Sequence, residues 1–312
     1  MIEAGFSTGA AAEGPGQFSA AAEGPGQSSA AAEGPGQLST AHVWWARRQD
    51  ASLRLAALLD DTERQRWTAY RREEDRQRFL VGCTLTKTAL ASYQPGRHPA
   101  DVRLDRTCAQ CGKPHGKPRV ADGDPELGGL ELSVSHSGDR IAVAVARATP
   151  VGVDVEDASP SARRRAPAGD DQRGPAGDDQ RGPAGHDQRG LGGDDQRGLE
   201  RYVLSEAELA AIDREQPDPD TRRRYFLVTW TRKEAVTKAT GDGLRVSFRQ
   251  VVLSSPAAPP DVLAWPYPQP PDSVSLFDLH ADEGYVAALA VIGRCDSVVS
   301  RSGTALLEDV KL

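Results

Sequence analysis

In Gly152-Val153-Asp154-Val155-Glu156, apolar and acidic residues alternate. Successive side chains of a β-strand point to opposite faces, so Val153 and Val155 can face a core while Asp154 and Glu156 project together on the other side. Two carboxylates held that close repel each other unless a cation or a proton lies between them. Their hard oxygens suit Mg²⁺, with Mn²⁺ as a substitute, bound by one or two carboxylates plus phosphate oxygens and water. A half-exposed strand with ordinary polar alternation would look the same. Further on, Glu234 and Lys238 stand four residues apart in Trp230-Thr231-Arg232-Lys233-Glu234-Ala235-Val236-Thr237-Lys238. That spacing puts both on one helix face, either as a surface ion pair or as a metal ligand beside a phosphate-binding amine.

Three smaller groups are also chemically suggestive. Ser135-His136-Ser137 closes a β-type run. Adjacent strand residues point apart, so Ser135 and His136 are not a nucleophile pair; at a strand end they can hold phosphate oxygens, or His136 can be a turn residue. Glu208 lies three residues after Ser205, where it either closes a capping box or serves as a general base. Cys108, Cys111 and His115 have the spacing of a zinc knuckle but supply three local ligands, one short of a closed site.

The elements that must position these groups are mixed. A helical pattern covers Asp60 to about Tyr93, with Phe79, Cys83 and Leu90 on one face and Arg71, Arg72, Arg78 and Lys87 on a basic one. Strand patterns cover 130–135, 141–146 and 151–156. Ser205 opens a second helix, a third spans Asp220 to Thr240 and stops at Gly241, and strand patterns return at 246–253, 274–279 and 285–292. The fold class is therefore α/β or α+β.

Two repeats lie outside this pattern. AAAEGPGQ recurs three times within residues 1–40, and variants of RGPAGDDQ fill 158–199. Neither has an apolar face to bury, so both are expected to be disordered, one as a tail and one as a surface insertion. The expected organisation is two subdomains, 41–157 and 200–295, with a tail at 296–312. Net charge −7 argues against nucleic-acid binding by phosphate neutralisation, and a mean hydropathy of −0.52 predicts a soluble chain. The longest apolar run, Tyr285 to Ile292, is too short to span a bilayer. With no Lys or Arg before Arg47 there is no secretory n-region, and a cytoplasmic protein is expected.

Taken in order, Gly116-Lys117-Pro118, Ser135-His136-Ser137, GVDVE at 152–156 and WTRKEAVTKATGDGL at 230–244 resemble the Sfp-type 4′-phosphopantetheinyl transferases, especially their actinobacterial secondary-metabolism branch. The resemblance implies two similar subdomains about a pseudo-two-fold axis, with coenzyme A in the cleft between them. It implies transfer of the 4′-phosphopantetheine arm of coenzyme A to a serine of an apo acyl or peptidyl carrier protein of polyketide or nonribosomal peptide synthesis, with release of adenosine 3′,5′-bisphosphate. By the family motif Asp154, Glu156 and Glu234 hold Mg²⁺, and Lys238 binds the pyrophosphate. Ser135 and His136 touch coenzyme A phosphates, Lys117 contacts adenine, and Glu208 deprotonates the carrier serine. Lys87 takes the place of an arginine that grips the 3′-phosphate, with Arg71 and Arg72 as further candidates. The resemblance also favours a monomer. The chain departs from the family at Val203-Leu204, where relatives carry an aromatic pair, with consequences for the carrier-docking surface. Two other readings remain open: a metal-dependent phosphohydrolase acting on coenzyme A-like pyrophosphates, and a non-catalytic adaptor built on the zinc knuckle.

Overall fold

The computed structural model describes residues 39–108, 112, 116–159, 193–215, 218–243, 246–266 and 274–311, with side chains in the 193–215 stretch from 197 onward. The elements in chain order are β1 (Thr40–Arg47), α1 (Asp61–Ala69), α2 (Glu73–Ala91), β2 (Leu104–Asp105), β3 (Arg119–Val120), β4 (Leu130–Ser137), β5 (Arg140–Arg147) and β6 (Val151–Asp157). They continue with α3 (Gly193–Val203), α4 (Glu206–Glu215), α5 (Pro219–Thr240), β7 (Val252–Leu253), β8 (Val262–Ala264), β9 (Val274–Leu279), β10 (Tyr285–Ile292), β11 (Ser297–Ser302) and α6 (Gly303–Glu308). The fold is mixed α/β, as the alternating sequence patterns predict.

Two sheets carry the core. The first has the order β11-β1-β5-β4, the second β6-β10-β9. Strand alternation sorts their side chains. Trp44, Leu132, Val143 and Val145 pack under Leu80, Val81, Leu85 and Leu90 of α2. Ala41, Val43, Ala142 and Ala144 turn to the other face and meet Val151, Val153, Val155, Leu289 and Val291 of the second sheet. On that sheet's far side Ala288 and Ala290 lie against Ala235, Val236 and Ala239 of α5. The layers therefore run helix, sheet, sheet, helix. α3 and α4 join the start of α5 through Leu199, Val203, Leu204, Ile212, Phe226, Leu227 and Trp230.

The edges of the two sheets meet along a seam made by side chains. The backbone N–H groups of Val153, Val155 and Asp157 on β6 donate to the Oγ atoms of Ser133, Ser135 and Ser137 on β4, at 3.1, 3.4 and 3.1 Å. A serine at every second position of β4 thus satisfies every second donor of the β6 edge.

Several expectations need correction. The single helix from Asp60 to Tyr93 is two helices, because Tyr70 and Arg72 are extended. The strand expected over 246–253 is reduced to Val252–Leu253 behind a short 3-10 turn. Residues 296–312, expected as a tail, contain β11 and α6, with Leu307 buried. β6, assigned to the first half, hydrogen-bonds to β10 in the second sheet. The repeat insertion is expected as far as residue 199, but α3 starts at Gly193. The rest of that insertion beyond Ser159, and residues 1–38 of the tail, lie outside the described residues. Val203 and Leu204 are buried, so they belong to the core and not to a docking surface.

Candidate active site

Gly152 sets the distance between β6 and α5. A Cβ at that position would run into the carbonyl oxygen of Ala235 and come within 2.5 Å of the Ala239 nitrogen, both of them helix backbone. Only glycine allows this approach. With Val153 and Val155 in the inter-sheet core, Asp154 and Glu156 face the helix, and Glu234 and Lys238 of α5 face them. Asp242 and Gly243 follow a left-handed Gly241 (φ 75°) that stops α5 just past Lys238.

Asp154 is buried. Its Oδ1 accepts from Lys238 Nζ at 2.7 Å and from Ser135 Oγ at 2.8 Å, while Oδ2 is buried without a hydrogen-bond partner. Glu156 Oε2 accepts from Ser137 Oγ at 2.8 Å. Burial, together with the Asp154 charge, raises the Glu156 carboxyl to about 8. Burial also raises Glu234 to about 7, with Lys238 opposing and Asp154 adding to the shift. Lys238 is desolvated as well, but Asp154 and Glu234 outweigh that and hold its amine above the ordinary lysine range.

This donor set fits a hard divalent cation. Three carboxylates crowd one another, and the orphaned Asp154 Oδ2 is a desolvated acceptor of the sort a cation satisfies. Among the described residues no three acidic, His or Cys groups are already drawn into one ligand shell; Asp154 is engaged by Lys238 instead.

Arg78 supplies the positive charge on the other side of the site, with His136 beside it. The His136 ring reaches solvent from a crowded site. Desolvation, then the Arg78 and Lys238 charges, lower its pKa to about 4, so it is neutral near pH 7. Arg78 is fixed by Nε to Gly138 O at 2.9 Å and by Nη1 to Asp75 at 2.7 Å. Sequence reasoning placed Arg78 on a basic face without a role. No local pattern gives it that role, because only the packing of α2 on the first sheet brings Arg78 level with the β4–β5 turn and His136.

Other candidates stand apart. Arg71 and Arg72 are exposed in the break between α1 and α2. Lys117 is half-buried, its pKa lowered by desolvation, and its Nζ donates to Val151 O at 3.0 Å at the start of β6. Ser135, expected on a phosphate, is buried and turns its hydroxyl inward to Asp154. Of the zinc candidates, Cys111 and His115 lie outside the described residues.

Two assignments are overturned. Lys87 is fully buried, and its Nζ donates to Glu63 Oε2 at 2.6 Å and Leu58 O at 2.8 Å. It anchors the N-terminal core and has no reach to a phosphate. Glu208 does close a capping box with Ser205. Its Oε2 also takes Lys233 Nζ at 2.6 Å, and its Oε1 takes Leu253 N at 3.1 Å. With both oxygens held by internal donors, Glu208 is not placed to receive a proton from a bound serine.

Residues 150–290 match the family model of the 4′-phosphopantetheinyl transferase superfamily, and residues 43–148 match that of the 4′-phosphopantetheinyl transferase N-terminal region. The two matches lie end to end over both sheets, and the chain is an enzyme of the 4′-phosphopantetheinyl transferase class. It is similar to the 4′-phosphopantetheinyl transferase HetI of Nostoc sp., 28% identical over 240 residues, which are 77% of this chain and 81% of that protein. A phosphopantetheinyl transferase of Thraustochytrium sp. is 36% identical over 111 residues, 36% of this chain and 35% of the other. A 4′-phosphopantetheinyl transferase of Bacillus subtilis is 24% identical over 191 residues, 61% of this chain and 64% of that one. No helix among the described residues is long and apolar enough to cross a membrane.

Proposed function

We propose that this enzyme moves the 4′-phosphopantetheine arm of coenzyme A onto a serine of an apo acyl or peptidyl carrier protein and releases adenosine 3′,5′-bisphosphate, in the manner of the Sfp-type branch. The supporting observation is the opposition of charges in one place. Asp154, Glu156 and Glu234 face Lys238, and His136 with Arg78 stands beside them. A pyrophosphate bridged to a divalent cation needs both kinds of group within reach.

Asp154, Glu156 and Glu234 would hold Mg²⁺, which when bound neutralises pyrophosphate charge. Lys238 lies over Asp154, ready to donate to the phosphate oxygen that gains charge as its bond to phosphorus breaks. The carrier serine oxygen forms the new bond to the phosphorus bearing pantetheine as that phosphorus loses its bond to the bridging pyrophosphate oxygen; adenosine 3′,5′-bisphosphate leaves with that oxygen, and the serine proton passes to solvent water. His136 serves as a neutral hydrogen-bond donor to a phosphate, while Arg78 carries the positive charge. Lys117, by the family resemblance, lies toward adenine.

The test is intact-mass analysis of an apo carrier protein incubated with the chain, coenzyme A and Mg²⁺. The carrier gains one phosphopantetheine, and Glu234→Ala, still folded, abolishes the gain. Coenzyme A consumed with no gain on any of several carriers would instead establish a phosphohydrolase.

A further inference from the structure

We infer that Ser137 is a positioning residue of the cation site, aiming Glu156 through a hydroxyl that the seam itself holds in place. The inference rests on the reading of Asp154, Glu156 and Glu234 as cation ligands and adds a residue that acts through one of them.

A serine Oγ has one proton and two lone pairs. Ser137 Oγ accepts from Asp157 N at 3.1 Å, which ties a lone pair to the β6 backbone, and its proton goes to Glu156 Oε2 at 2.8 Å. The seam bond fixes the oxygen, and the oxygen then fixes one arm of the carboxylate. A glutamate side chain has three torsions, and this bond restrains the carboxylate at their far end. Outer-shell partners of this kind orient metal-binding carboxylates.

The seam supplies its own control. Ser133 makes the same bond to β6, from Val153 N at 3.1 Å, but its neighbour along the strand face is Gly152 and not a carboxylate. Losing Ser133 removes as much seam as losing Ser137 and leaves the carboxylates alone. A merely structural serine at 137 predicts equal effects at the two positions, whereas a positioning serine predicts an effect at 137 only.

The experiment is Mn²⁺ binding to the metal-stripped full chain, followed by the loss of the free-ion electron paramagnetic resonance signal, with thermal unfolding run on each variant. The parent binds Mn²⁺. Ser137→Ala weakens binding by about 10- to 100-fold, Ser137→Thr restores it to within a few-fold, and Ser133→Ala binds as the parent does. If Ser137→Ala does not fold, Ser137→Cys, similar in size but a poor donor, carries the test. Parent-like binding by Ser137→Ala or Ser137→Cys overturns the inference, as does equal weakening by Ser133→Ala. A parent chain that binds no Mn²⁺ overturns the cation site itself, and this inference with it.

Discussion

Both halves of the chain use the same anchor. Asp60 and Glu63 form a capping box at α1, and Ser205 and Glu208 form one at α4. In each, a lysine from the next long helix reaches the box glutamate at 2.6 Å and a carbonyl two residues before the cap: Lys87 to Glu63 and Leu58 O, Lys233 to Glu208 and Val203 O. Both amines are fully buried. This repetition of cap, glutamate and lysine is what a pseudo-two-fold relation between the halves predicts.

What differs is the helix around the lysine. On α2, Thr84 and Thr88 return their hydroxyls to carbonyls of their own helix. On α5, Glu234 and Lys238 face the β6 carboxylates. One half uses the anchor to hold a core, and the other uses it to hold a helix whose next residues face the β6 carboxylates.

The sharpest break in this comparison is a glycine on each side. Gly152→Ala pushes a methyl into α5 backbone that has no rotamer to yield, so its cost exceeds the ~1–3 kcal/mol usual for overpacking. Denaturant unfolding measures it; an unchanged midpoint would show that glycine is not what lets α5 approach. Next come the lysines. Lys87→Met strands the buried Glu63 and costs about 3–5 kcal/mol, and Lys233→Met strands the half-buried Glu208 and costs somewhat less. Lys87→Met, assayed below its lowered melting temperature, keeps the parent KM for coenzyme A, and a clear rise would return Lys87 to the phosphate.

A smaller effect depends on pH. In the N-terminal half His42 bonds Tyr93 Oη through Nδ1 at 2.6 Å and stacks near Trp44, and burial followed by the Arg301 charge lowers its pKa to about 4. The unfolded chain takes up this proton near pH 6.5 and the folded chain near 4, so its share of stability is whole above 6.5 and is lost as pH falls toward 4. His136 acts with the same sign. Urea midpoints from pH 7 to 4 drop less steeply in His42→Phe than in the parent. Smallest is Gly82→Ala on α2, where a Cβ has ordinary clearance of 3.9 Å to Val134 and 4.0 Å to Ile141. Helix propensity then favours alanine by up to about 1 kcal/mol, and the melting temperature stays level or rises.

The sequence showed which side chains share a face better than it showed the geometry that supports them. Alternation was enough to pair Asp154 with Glu156, and i,i+4 spacing enough to pair Glu234 with Lys238, because both are local periodicities. The need for Gly152 depends on where α5 lies, which no window around residue 152 contains. The resemblance puts Lys87 at a phosphate-binding position, and nothing local to it reveals that its partner Glu63 sits on another helix. Glu208 has the same local signature as cap or as base; only Lys233 and Leu253 N decide between them. β1 escaped notice because Trp44 and Trp45 interrupt its alternation, and β11 because most of its residues are exposed.

The parallel pairing of β1 with β11 gives the protein a history in time. Thr40 and Ser297, side by side in the sheet, are 257 residues apart in the chain. On the ribosome β1 is made early, and its outer edge stays open until β11 emerges. An unpaired edge is a template for other chains, and domains begin to fold as they are made. Release of the nascent chain before Ser297 therefore yields a first sheet that lacks its last strand and is exposed to aggregation.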